Sequence, residues 1–219
     1  MNLKLFFNLF LLLSIAANAQ TEKVVNTTDF ILECSKFSGM LPKKQIVIWF
    51  PNELWSIIGK QLKLTDEVSS AISNEMKDYL MFAVIDYTLE NGKVTFKSKD
   101  EIDKTIELID ANKKSYKPLI EENLPDGAKN IIQSLRPVMA SFAGQLGEGM
   151  DIVIFNKIKT IDNNVLELNK KASFSLQWES TKLNWNLPLN SVLPSKFCAV
   201  DNEEMKATWI YCPKHGNKL

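Results

Sequence analysis

The stretch "YLMFAVIDYTLE-NG-KVTFKS" (residues 79–98) constrains this chain more than any other. Asn91-Gly92 is a strong two-residue hairpin signal, because both residues tolerate positive φ. Val94 and Phe96 alternate with Lys93, Thr95 and Lys97, as in a strand with one face covered. A second clean alternation falls late in the chain. Phe174, Leu176 and Trp178 are followed, after "STKL", by Leu183, Trp185 and Leu187. "QIVIWF" (45–50) and "DIVIFNKI" (151–158) add two further strands rich in β-branched and aromatic residues. Parallel strands need long crossovers, whereas these are joined by hairpins. We therefore expect an α+β fold: a mixed or antiparallel sheet of about six strands, with about four helices on one face and a small C-terminal hairpin.

The helices have local signatures. Pro51 suits the first turn of a helix over 51–62, which Gly59 weakens near its end. Thr65 caps the next, with Asp66 and Glu67 favourable at its N-terminus. Ser98 and Glu101 form a capping box that opens a helix over 99–112. The longest starts at Pro125-Asp126. Ile132, Leu135, Val138, Met139 and Leu146 give it one apolar stripe, interrupted by Pro137, which should kink it.

The first residues, "MNLKLFFNLFLLLSIAANAQ", carry one charge, Lys4, then an apolar run and small residues at Ala17 and Ala19. That pattern predicts a secretory signal peptide, residues 1–19, cut after Ala19. The mature protein would then be secreted or periplasmic, without a transmembrane segment, and its cysteines would meet an oxidising compartment. Losing Lys4 leaves one basic residue fewer than the 26 acidic ones, so no basic surplus exists for nucleic acid. Residues 20–44 read as a leader and loose segment, 45–192 as the α+β domain, and 193–219 as a cysteine-containing hairpin.

That hairpin, "FCAVDNEEMKATWIYCPKHG" (197–216), holds two of the three cysteines and the only histidine. Cys198 and Asp201 are two residues apart, as are Cys212 and His215, with ten residues between the pairs. Paired donors at this spacing bend around one ion, and a tetrahedral site needs four N, S or O ligands. The stretch resembles a degenerate zinc ribbon, with aspartate in place of the second cysteine and histidine in the fourth position. The resemblance implies a structural zinc site with ligands Cys198, Asp201, Cys212 and His215. Asn202 stands where the knuckle glycine is usual, and asparagine can still take left-handed φ. A Cys198–Cys212 disulfide would close the same hairpin. Pairing of Cys34 with one tail cysteine is a third arrangement, since connectivity cannot be read from sequence.

With one histidine, any Ser-His-Asp or Cys-His mechanism must run through His215. No nucleophile elbow, P-loop or metalloprotease motif occurs. No cofactor is expected unless the tail holds zinc. The favoured reading is a non-enzymatic binding or envelope-associated module, with an unspecified ligand or envelope partner. The alternative is a carboxylate-based glycan hydrolase, for which two acids must face each other across a cleft. Among the carboxylates, Asp86 interrupts an apolar strand, and alternation with Ile85 and Tyr87 suggests that it points outward. Trp49 and Trp55 cluster around Pro51. Exposed, they would form a binding platform for a sugar or peptide; buried, they are core.

Overall fold

The computed structural model describes residues 25–59, 64–157 and 166–219. The predicted signal peptide and the predicted turn at Asn163-Asn164 lie outside them. Two antiparallel sheets stack face to face, helices cover the free face of the first, and a knuckled tail follows. The fold is α+β. Among the described residues, no helix is long and apolar enough to cross a membrane.

The first sheet is built on one long strand, β3 (Tyr79–Glu90). One edge of β3 pairs with β2 (Lys43–Phe50), which in turn carries β1 (Ser35–Ser38). The other edge is shared. β7 (Met150–Asn156) pairs along Tyr79–Ile85, and β4 (Lys93–Phe96) pairs along Tyr87–Glu90. Asn91 and Gly92 both take positive φ in the β3–β4 turn, as that dipeptide predicts. β3 is buried at seven consecutive positions because both faces are covered. Leu80, Phe82 and Val84 enter one core, and Met81, Ala83 and Ile85 the other.

The second sheet orders β6 (Ser115–Tyr116), β5 (Ile106–Ile109), β8 (Ala172–Trp178) and β9 (Thr181–Leu187). Its inner face meets β2 and β3 through aromatic rings. Trp49 packs edge-on to Phe174 at 4.8 Å, and Phe174 stacks on Trp185 at 5.3 Å. Such pairs add about 0.5–1.5 kcal/mol each beyond burial. The opposite face of the first sheet is covered by α3 (Asp66–Met76) and α5 (Asp126–Phe142), through Ile72, Met76, Ile132 and Met139.

Several boundaries differ from expectation. Residues 20–44 are not loose throughout. α1 (Thr27–Cys34), capped by Asn26, leads directly into β1 and buries Phe30 and Cys34. The helix after Pro51 shortens to α2 (Leu54–Ile58). The capping box at Ser98 is formed, but the helix it opens, α4 (Lys99–Thr105), is short, and "IELI" becomes β5. Alternating burial of Ile106 and Leu108 in the aromatic core, plus pairing with β8, outweighs the helical spacing. Asp86 does not point outward. It is 1 % exposed, faces the second sheet, and accepts a 3.0 Å hydrogen bond from Gln45 Nε2. Lys43 and Lys97 each stand 3.8 Å from its carboxylate, and both bridge onward to Glu179 in the β8–β9 turn.

Candidate metal centre and apolar cavity

The tail is built from two matched turns. In the first, Asn202 N–H donates to Cys198 O at 2.8 Å and Cys198 N–H donates to Glu203 O at 2.9 Å. In the second, Gly216 N–H donates to Cys212 O at 2.8 Å and Cys212 N–H donates to Asn217 O at 2.8 Å. The fifth residue of each is left-handed, Asn202 at φ 56° and Gly216 at φ 70°. Both therefore close as the same knuckle, and Asn202 fills the glycine position. Short pairings flank each knuckle. β10 (Lys196–Phe197) pairs with β11 (Glu204–Met205), and Tyr211 bridges Lys218.

The knuckles point their donors at one place. Cys198 Sγ lies 3.3 Å and Cys212 Sγ 3.7 Å from His215 Nδ1, and the three donor atoms all lie within 4.8 Å of one another. Asp201 Oδ2 is 3.7 Å from the same nitrogen, while Oδ1 accepts from Glu203 N–H at 3.0 Å. Three of the predicted ligands, Cys198, Cys212 and His215, are thus brought together, while Asp201 touches the cluster through His215 and is not part of it. Sequence did not single out Asn217, whose Oδ1 accepts from the Cys198 thiol at 3.2 Å. No disulfide is formed: Cys34, Cys198 and Cys212 are all free. Cys34 belongs to the body core, away from the tail cluster.

Electrostatics divides the two tail thiols. Desolvation pushes Cys198 up. Desolvation also opposes ionisation of Cys212, but the N–H groups of His215 and Lys214, with Cys198 and His215 side chains, hold it below the usual thiol range. Asp201 is lowered, first by the Glu203 N–H, then by contact with the Cys198 thiol and the charges of His215 and Lys214. Two sulfurs and one imidazole nitrogen lie close enough to share a metal ion of intermediate softness.

The tail is anchored to the body at its base. Glu33, near the end of α1, accepts from Asn190 N–H, Ser191 N–H and Ser191 Oγ, at 2.9, 2.9 and 2.5 Å. Asn190 Oδ1 in turn accepts from Thr208 N–H at 3.4 Å.

A second concave feature lies elsewhere. Trp49 and Trp55 are each 2 % exposed, so they form no surface platform. Both line a cavity of about 300 Å³ between the first sheet and the C-terminal half of α5. A shallower pocket beside α3 is lined by Ser56, Asp66, Ser69, Ser73 and neighbours, with Asp66 its one carboxylate. Neither concavity brings two acids face to face. Fold and tail together define an α+β body that ends in a cysteine–histidine knuckle pair. The chain matches no family model, no curated protein and no solved structure.

Proposed function

We propose that this chain is an exported, non-enzymatic binding or envelope-associated module whose C-terminal knuckles are held by zinc. The observation that carries the metal reading is the convergence of two matched turns on one point, with three donor atoms within 4.8 Å. Cys198, Cys212 and His215 are its core ligands, and Asp201 completes the tetrahedron. The site is structural in type: four protein donors leave no open position for a substrate. The tail's own core also calls for such a staple. Its buried members are Cys198, Met205 and Cys212, with Leu219 packed alongside. So small a cluster needs a metal or a disulfide to hold its shape. Export rests on the N-terminal sequence pattern alone.

Native mass spectrometry of protein purified with zinc tests the reading. The expected result is a gain of one zinc, offset by released thiol protons. A mass lower by two hydrogens, with no metal, overturns it in favour of a disulfide. Asp201→Ala should weaken zinc binding without abolishing it, whereas Cys212→Ser should abolish it. Equal affinity of Asp201→Ala and the parent protein would remove Asp201 from the ligand set.

A further inference from the structure

We propose that the cavity beneath α5 binds the hydrocarbon chain of an amphiphile, an acyl chain being the ligand class; this rests on the binding-module reading and adds its ligand. Its walls follow from strand alternation. Ile46, Ile48 and Phe50 of β2 and Ala83 and Ile85 of β3 project from the helix-covered face of the sheet. Ala83 is the smallest of these, and space opens above it where a larger residue would fill the layer. The roof is Leu135, Val138 and Met139 of α5.

Three properties select the ligand. No charged side chain lines the cavity, and its most polar groups are the Cys34 thiol and the two indoles. A polar ligand would shed its water there without finding partners, whereas a hydrocarbon has none to lose. The cavity is also not a sealed void. Ile31 of α1 and Val138 of α5 line it and are themselves 38 % and 42 % exposed, so they form the lips of a mouth. At about 300 Å³ the space lies at the lower end of small-molecule sites. Left unfilled, it would be a large cavity penalty for one body.

The walls are also adaptable. Met139 and Met150 line the site, and methionine conforms to variable apolar shapes. Pro137 sits within the part of α5 that forms the roof. Its missing N–H leaves that part less tightly tied to the preceding turn. A straight chain would enter between Ile31 and Val138 and leave its head group in solvent.

The test uses the full, zinc-loaded chain. Octanoic, decanoic and dodecanoic acids and the matching alcohols are titrated, read by tryptophan emission and by native mass spectrometry. We expect one ligand per chain, similar affinity for acid and alcohol, and affinity rising on the order of fourfold per methylene until the space is full. Ala83→Leu, which fills the floor, should cut dodecanol affinity at least tenfold. Ala143→Phe, at the roof end, serves the same purpose should the first variant not fold. Affinity independent of chain length, or unchanged in a folded floor or roof variant, overturns the proposal. Indole provides the separating arm. If indole binds and the chains do not, the acyl class falls and the binding module stands. If neither binds, both readings fall, while zinc stoichiometry is judged on its own.

Discussion

Cys34 and Cys212 carry the same side chain and should behave as opposites. Cys34 is 1 % exposed at the end of α1. Burial pushes its thiol up to about 12, with the charge of Glu33 adding to the effect. Against an ordinary thiol at 9.0, that leaves about a thousandfold less thiolate at neutral pH. Thiolate is the reactive form, so Cys34 should be inert. Cys212 is instead held low by the knuckle N–H groups, so more of it is thiolate in the folded tail. Iodoacetamide labelling after chelation at pH 7, followed by peptide mass mapping, should show Cys198 and Cys212 modified and Cys34 unlabelled. Labelling of Cys34 at the rate of the tail thiols would show that α1 opens readily. Asn202 makes a second residue-scale case. Its φ of 56° suits glycine and asparagine, so Asn202→Gly should be neutral, while Asn202→Val should cost about 1–2 kcal/mol in thermal or chemical unfolding.

Among the elements, the two sheets meet not only through aromatic rings but at one charged corner. Glu179, at φ 53° in the β8–β9 turn, receives Lys43 from β2 at 2.7 Å and Lys97 from the end of β4. Those hydrogen bonds hold the Glu179 carboxyl below the usual range. Lys43 is raised, chiefly by the same bond. A depressed acid stabilises the fold above its unfolded pKa and loses that contribution as pH falls through its folded pKa. A raised lysine stabilises below its ordinary 10.5 and loses that contribution as pH rises through its folded value. The corner therefore acts between roughly pH 5 and 10. The pair is partly solvent-exposed, so the net effect should be under about 1 kcal/mol. Glu179→Gln should lower stability by that amount at pH 7 and by less near pH 3, measured by urea unfolding. An equal loss at both pH values would mean that the carboxamide disturbs the turn rather than the charge. This corner was illegible in the sequence, because its three elements come from three separate regions. The β3–β4 and β8–β9 hairpins were legible, since period-two alternation and turn chemistry are local. β1 and β5 were not. Each is four residues long, and Ile106–Ile109 becomes a strand only by pairing with Ser175–Trp178, far along the chain.

At the scale of the whole molecule, the two candidate sites differ in how far the sequence disclosed them. Cysteine and histidine are scarce here, so Cys198, Cys212 and His215 at knuckle spacing stood out before any fold was known. The cavity could not stand out, because Ile46, Ala83 and Met139 look like any other core residues until one sees that they leave space. The sites also belong to parts held by different forces. The body has two extensive apolar cores on either side of β3, whereas the tail's buried cluster is little more than Cys198, Met205 and Cys212. Zinc in small modules contributes on the order of 10 kcal/mol near neutral pH, nearly all of the folding free energy of such a unit. Chelation should therefore unfold the tail and spare the body. In hydrogen exchange, amides of residues 196–219 should lose protection after treatment with a strong chelator, while those of β2, β3 and β7 keep theirs. Acidification should act in the same direction as the chelator, because protons compete with a metal ion for its ligands. Glu33 sets the boundary: its bonds to Asn190 and Ser191 lie on the body side, so those two amides should stay protected. Loss of protection throughout β3 on chelation would show that the knuckles support the body and are not a separately held appendage. An unchanged tail would show that zinc does not hold it.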